Sequence, residues 1–124
     1  MSTNLKQVIM IRSDVTSADV VNACIAKASL SLVTRCFENS KDFLGRTEAK
    51  DYTATIIDWV DNHNMNIEIM HVSDLDCMQA YEWTSETMGI PAQVVSGEVD
   101  GETIPVCMAM GPFEADQLDA FLKV

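Results

Sequence analysis

The hydrophobic pattern along the chain alternates between short apolar runs and apolar stripes at helical spacing. Residues 5–12 form a run with little alternation, which predicts a strand covered on both faces. Residues 18–37 repeat apolar side chains every three or four positions, which predicts an amphipathic helix. The pattern then predicts a polar loop over 38–50, a helix over 51–62 and a strand over 66–72. A third helix is predicted from 73 to about 88, followed by a strand over 92–95, a turn over 96–102 and a strand over 103–110. A chain break at 111–112 and a last helix over 113–122 complete the predicted elements.

Local signals support several of these boundaries. Ser73 is predicted to cap the third helix, with Asp76 in the reciprocal capping position. Gly89 follows that helix at the position where glycine commonly ends one. Pro105 interrupts the fourth strand, and proline there predicts a sheet edge or a bulge because it has no N–H for the ladder.

The element order β-α-α-β-α-β-β-α predicts an α/β protein with one domain over residues 1–124. We expect three layers, with helices on both faces of a four-stranded mixed sheet. The chain has 124 residues, of which 48% are apolar, and this suits one packed core. No apolar run approaches the roughly 20 residues of a membrane-spanning helix. The first residues have no apolar signal region, so we expect a cytoplasmic protein that does not enter a membrane.

The charge balance narrows the classes of partner. The chain carries 19 acidic and 8 basic residues, a net charge of -11. This charge argues against a nucleic-acid backbone as the main partner, although a local basic groove remains compatible with it. The acidic excess either keeps the protein in solution or recognises a basic partner protein, and both interpretations stay open.

Metal and cofactor sites are not expected from the cysteine and histidine spacing. The four cysteines, at positions 24, 36, 77 and 107, form no C-x-x-C pair, and neither histidine stands at ligand spacing from them. We therefore expect free thiols, no metal and no cofactor. Glu98, Asp100 and Glu102 on the glycine-containing turn resemble a weak cation site, and a solvated hairpin is the simpler interpretation.

Four segments in order carry a resemblance to one family. They are K-Q-V-I-M-I-R-S-D-V at 6–15, A-K-A-S-L at 26–30, G-I-P-A-Q-V-V at 89–95 and I-P-V-C-M-A-M-G-P at 104–112. Together they resemble the second-type peptidyl-tRNA hydrolases and a related group without assigned function that shares their fold. The Asn22-Ala23 pair leans toward that related group. The resemblance implies the family's fold and its reaction, which is metal-free hydrolysis of the ester between a peptide and the tRNA 3′ end.

The chain departs from this family at the catalytic positions. The family uses a Lys, a Gln and a His on its first helix and an Asp after its third strand. Counted back from A-S-L, the helix positions fall on Val20, Cys24 and Lys27, and the Asp position falls near Gly97 in a shortened loop. Valine cannot hold phosphate, a thiol cannot replace an amide, and lysine is a poor base at neutral pH unless burial lowers its pKa. We therefore expect the family's activity to be lost or strongly reduced.

Three hypotheses about function follow from these departures. The first is an impaired relative that binds a protein or a small nucleotide-like ligand, with a homodimer as one expected assembly. The second is a working peptidyl-tRNA hydrolase with a site rearranged around Lys27, Asn22, Glu98 and Asp100, and tRNA is a partner only in this case. The third is a thiol hydrolase in which Lys27 activates Cys24 as the nucleophile.

Arg12 and Asp14 complete the candidate cleft residues. They flank the exit of the first strand, where α/β proteins commonly bind ligands. Either residue is a candidate to line a site, and an ion pair between the two is equally expected. Lys27 has the same ambiguity, since it fits both a cation of the old cleft and a surface lysine.

Overall fold

The computed structural model describes residues 4–38 and 46–122. The elements in chain order are β1 (Leu5–Arg12), α1 (Ala18–Glu38), α2 (Arg46–Asn62), β2 (Ile67–Val72), α3 (Leu75–Thr87), β3 (Ala92–Val99), β4 (Glu102–Glu114) and α4 (Ala115–Leu122). Within these described residues, no helix has both the length and the apolar character needed to cross a membrane.

The four strands form one mixed sheet in the order β2-β1-β4-β3. Strand β1 pairs with β2 in parallel, and the β1–β4 and β3–β4 pairs are antiparallel. Alternation along β1 directs successive side chains to opposite faces of the sheet. This arrangement confirms the predicted α/β class and the predicted four-stranded mixed sheet.

Two apolar clusters lie on the two faces of the sheet. The cluster beneath α1 includes Ile9, Ile11, Cys24, Ala28, Cys107 and Ala109. The cluster beneath α3 and α4 includes Val8, Met10, Met78, Met108 and Leu118. Because β1 contributes alternate residues to both clusters, helices cover both faces, as expected for three layers.

Three predicted helix starts are wrong, and the first two are those of α2 and α3. Helix α2 begins at Arg46 rather than at 51, so the polar loop predicted over 38–50 is too long, and its residues 39–45 lie outside the described part. Helix α3 is capped by Asp74 and not by Ser73. The Asp74 carboxylate accepts a hydrogen bond of 3.0 Å from the backbone N–H of Cys77, which would otherwise lack a partner within the helix.

The β3–β4 hairpin is longer than its sequence pattern predicts. Only Asp100 and Gly101 form the turn, with φ of 52° and 81°, which suits a two-residue hairpin loop. The ladder register shifts between Val95 and Ser96, opposite Pro105, so the structure has the bulge, one of the two alternatives predicted for this proline.

The predicted break at Gly111-Pro112 is wrong as well, because β4 continues through both residues to Glu114. The register between β1 and β4 shifts between Lys6 and Val8, so Gln7 faces this glycine-proline pair. The irregularity accommodates a proline that has no N–H for the ladder. The last helix consequently begins at Ala115 rather than at 113.

Lys6 joins three elements through one buried ammonium group. Its Nζ donates hydrogen bonds of 2.5 Å to Glu68 on β2 and to Asp119 on α4. Burial by itself lowers the pKa of Lys6, but the bonds to Asp119 and Glu68 outweigh it and raise the pKa overall. Lys6 is therefore a charged residue that is paired with two carboxylates on the face covered by α3 and α4.

Candidate functional site

Helix α1 and strand β3 meet closely at the positions where the family resemblance locates catalytic residues. A Cβ atom added to Gly97 would lie 2.7 Å from Val20 Cγ1 and 2.9 Å from Cys24 Sγ, with Val106 Cγ2 at 3.3 Å. The first two distances are shorter than real contacts of a Cβ atom. The two elements approach so closely because residue 97 has no side chain.

The space between α1 and β3 is apolar. Cys24 is 1% exposed and belongs to the same cluster as Val106 and Cys107, with Val20 packed against it. Gly97 lies inside β3, so the prediction that the family's Asp position falls in a loop is wrong. This part of the fold is a packed contact and leaves no room for a carboxylate at position 97.

Two other candidate residues lie on the surface of α1. Lys27 and Asn22 are both exposed. Val20, Cys24 and Lys27 follow the i, i+4, i+7 spacing of one helix face. Asn22 comes two residues after Val20, a spacing that puts it on the far side of the helix from that face. The structure thus brings Val20 and Cys24 together with Gly97, and it does not bring Asn22 to them.

Burial makes the thiols of this region weak acids. It raises the pKa of Cys24, and the positive charge of Lys27 offsets only part of the effect. Burial and the neighbouring Cys24 raise the pKa of Cys107 to about 12. Because the thiolate is the nucleophile, this environment opposes a thiol hydrolase centred on Cys24.

We expect Cys77 to react with iodoacetamide in the folded protein well before Cys24 and Cys107. Cys77 is partly exposed, whereas the other two thiols are buried and remain protonated at neutral pH. Mass spectrometry of the labelled peptides measures the order, and a sample unfolded in urea serves as the control in which all thiols react. Labelling of Cys24 as fast as Cys77 would contradict this expectation. The side chain of Cys36 lies outside the described residues.

Arg12 and Asp14 form the ion pair that was one of two expectations for them. Arg12 Nε donates to Asp14 Oδ1 at 2.9 Å, and its Nη2 donates to Oδ2 at 2.7 Å. A third bond of 2.8 Å runs from Arg12 Nη1 to the carbonyl of Pro105. The hydrogen bonds between Arg12 and Asp14 raise the pKa of the guanidinium and lower the pKa of the Asp14 carboxyl. Arg12 thus joins the end of β1 to β4, with three nitrogens already engaged.

Glu98 and Asp100 lie at the exposed tip of the β3–β4 hairpin. Glu98 pairs in register with Thr103, and Asp100 occupies the turn itself. Within the described ranges, no three His, Cys, Asp or Glu side chains are grouped so that they could hold a metal ion. The hairpin tip is therefore a solvated acidic surface in this structure.

The family resemblance identifies positions 20, 24 and 97, but the sequence analysis does not predict that these three residues are in close contact. The signal was present in the residue types, because Val20 and Cys24 are apolar replacements on a helix face that carries polar residues in the family. A glycine opposite two such residues indicates close packing as well as a turn. The sequence predicts a turn over 96–102 with the family's Asp position near Gly97, and neither prediction includes a close approach to α1.

A mixed four-stranded sheet with helices on both faces defines the class of this protein as a three-layer α/β protein. A family model described as Peptidyl-tRNA hydrolase PTH2 matches residues 5–124. The chain therefore belongs to the peptidyl-tRNA hydrolase PTH2 family, which confirms the resemblance seen in the sequence. No curated protein sequence matches the chain significantly.

Proposed function

We propose that this chain is a catalytically impaired member of the PTH2 family that acts by binding another molecule. One observation carries the proposal, namely the packed contact of Gly97 with Val20 and Cys24. Ester hydrolysis needs positioned groups that orient and deprotonate water. At this contact, the positions that the resemblance assigns to such groups hold a valine, a neutral thiol and a residue without a side chain.

The polar residues nearby do not supply a replacement set. Lys27 is exposed, and Asn22 projects from another side of the same helix. Arg12 already donates to Asp14 and to the Pro105 carbonyl. Neither Asn22 nor Arg12 is therefore placed to act with Lys27 in orienting a water molecule.

The first prediction concerns hydrolysis itself. We expect release of tRNA from purified peptidyl-tRNA to be slower than with a fully equipped family member by more than about a hundredfold, since one positioned acid or base contributes about that much. Both proteins are assayed at equal concentration, and circular dichroism shows that both are folded. Turnover within about a hundredfold of the control would refute the impaired reading.

The alternative is an active hydrolase with a rearranged site, and one observation favours it. Lys27 is exposed on the family's catalytic face, and its charge reaches the position of Cys24. In that case Lys27→Ala abolishes turnover, while Ser31→Ala, one turn along the same helix, leaves it unchanged. Only under this alternative is tRNA a partner.

The partner that we propose is a protein with a basic surface, or otherwise a small nucleotide-like ligand. The net charge of -11 favours a protein partner over a nucleotide, because the negative charge of this chain would repel the phosphates of a nucleotide. We place this role in the cytoplasm. A homodimer remains a further proposal, which sedimentation velocity at several protein concentrations tests directly.

A further inference from the structure

One side of the sheet ends in a strand whose outer backbone is open. This strand is β2, and no described strand lies beyond it. The carbonyls of Asn66 and Val72 accept hydrogen bonds from the chain of β1 and its exit. Because the direction of the backbone groups alternates along a strand, Ile67, Ile69 and His71 direct their N–H and C=O groups away from β1. These outward groups have no backbone partner among the described residues.

The side chains of β2 leave this edge ready to pair. Ile69 is 45% exposed and Ile67 is 39% exposed. Glu68 is the acidic residue of the strand, and its carboxylate pairs with the ammonium of Lys6. The strand has no lysine, no proline and a regular register with β1. Charges, prolines and bulges are the features by which proteins commonly prevent an edge strand from pairing.

The opposite edge of the sheet, β3, has such protective features. Its register with β4 shifts between Val95 and Ser96, which is a bulge. Its exposed side chains are those of Ser96 and Glu98, which are polar. The side chain of Gln93 donates a 3.1 Å hydrogen bond to the carbonyl of Val94, so a backbone acceptor of this strand is already in use. The contrast indicates that β2 is the edge left available for pairing.

We infer that β2 pairs antiparallel with β2 of a second copy of this chain, so that two four-stranded sheets join into one. A two-fold axis at Ile69 pairs this residue with its own copy and pairs Ile67 with His71. In this register every outward N–H and C=O group of the three residues bonds across the interface. An axis at Glu68 or at Met70 would leave one end of the strand unpaired.

The side chains also suit this register. The two Ile69 side chains meet at the axis, and Glu68 lies opposite Met70 rather than opposite a second carboxylate. This match of the edge to itself favours a second copy over a strand of another protein. The inference rests on the homodimer proposed above and identifies its interface.

Charge opposes the pairing at long range and supplies the first test. Each copy has a net charge of -11, so two copies repel each other, and salt screens this repulsion. Sedimentation velocity of the full chain at rising concentration measures the dimer dissociation constant in about 0.05 M and about 0.5 M NaCl. We expect a dimer whose dissociation constant falls by about threefold or more at the higher salt concentration.

Two matched variants locate the interface. Ile69→Lys puts a charge at the edge of β2, and Leu30→Lys makes the same change in charge at a 66% exposed position of α1. Helix α1 packs over Val95 of β3 and Val106 of β4, away from the β2 edge. We expect Ile69→Lys to weaken the dimer by about tenfold or more and Leu30→Lys to change its dissociation constant by less than about twofold.

A proline variant tests the backbone pairing without a change of charge. Ile69→Pro removes an N–H group that β1 does not use, and proline is tolerated at such positions of edge strands. We expect it to weaken the dimer by about tenfold or more, since the axis loses a hydrogen bond in each direction. Circular dichroism verifies that all variants are folded.

Cysteine cross-linking tests the register. Ile69→Cys is expected to form a disulfide between two copies when the thiol oxidant diamide is added, because residues paired at the axis have Cα atoms about 5.5 Å apart. Ile67→Cys is expected not to link to itself, since its own copy lies four residues along the strand, roughly 14 Å away. It is expected to link when mixed with His71→Cys. The unsubstituted chain controls for the native thiols.

Several outcomes would overturn the inference. A chain that stays monomeric at all concentrations would leave the β2 edge to a strand of another protein. A dimer that weakens in salt would be held by ion pairs, and equal losses in Ile69→Lys and Leu30→Lys would move its interface elsewhere. Equal cross-linking through Ile67→Cys alone and Ile69→Cys alone would exclude the axis at Ile69. Peptidyl-tRNA turnover enters none of these measurements, so this inference and the proposed loss of activity fail separately.

Discussion

Gly97→Asp is expected to lower the free energy of unfolding by roughly 3–5 kcal/mol, because it combines overpacking with a buried carboxylate. The new Cβ would lie 2.7 Å from Val20 Cγ1 and 2.9 Å from Cys24 Sγ. Both atoms belong to short side chains that cannot swing away without moving α1. Urea denaturation followed by circular dichroism measures the loss.

Three further variants separate the causes. Ser96→Asp adds the same carboxylate to an exposed neighbouring position of β3 and is expected to change stability by less than about 1 kcal/mol. Gly97→Ala keeps only the steric part and is expected to cost about 1–3 kcal/mol. Combining it with Val20→Ala removes the nearest atom and is expected to recover part of that loss. A Gly97→Asp protein as stable as Ser96→Asp would show that the contact is not tight.

The tight contact at Gly97 is a physical reason for proposing that the family's activity is lost or strongly reduced. Positions 20, 24 and 97 depend on each other, because a small residue at 97 allows α1 to approach, and the approach then buries Cys24 and partly buries Val20. Replacing Gly97 alone by an acidic residue would create a steric clash and a buried charge. A polar site would have to be restored at several positions together, and the helix would have to move outward.

The sequence predicts best those parts of the fold that are buried on both faces of the sheet. Strand β1 runs from Leu5 to Arg12 as predicted, because a buried strand reads as an unbroken apolar run. The β3–β4 hairpin was harder. Its glycines have different causes, since Gly101 supplies a positive φ in the turn and Gly97 supplies close approach to a helix. A sequence pattern alone does not separate these two uses.

The candidate sites were predictable to different degrees. The family resemblance gave positions 20, 24, 27 and 97, but their contact arises only when α1 is packed on the sheet. The groove lined by Ala80 and Thr84 of α3 and by Gln117 and Ala120 of α4 was not predicted, because its lining comes from segments far apart in sequence.

Trp59→Ala is expected to cost roughly 3–5 kcal/mol of stability, because it empties the volume of a fully buried indole. Trp59 is 0% exposed and anchors α2 against the start of β2. Its Nε1 donates a 3.0 Å hydrogen bond to the carbonyl of Asn66. The backbone N–H of Gln7 donates to the same carbonyl, also at 3.0 Å, so this acceptor joins α2 and β1 at one point.

The chain contains its own matched control, since its other tryptophan, Trp83, is largely exposed. Trp83→Ala is expected to change stability by less than about 0.5 kcal/mol. Trp59→Phe is expected to lie between the two, at about 1–2 kcal/mol, because it keeps most of the packing while the Asn66 carbonyl retains its bond from Gln7. Circular dichroism is the suitable probe, as each variant alters the fluorescence. Equal midpoints for Trp59→Ala and Trp83→Ala would mean that α2 is not anchored through Trp59, whereas the expected contrast assigns the packing role to Trp59.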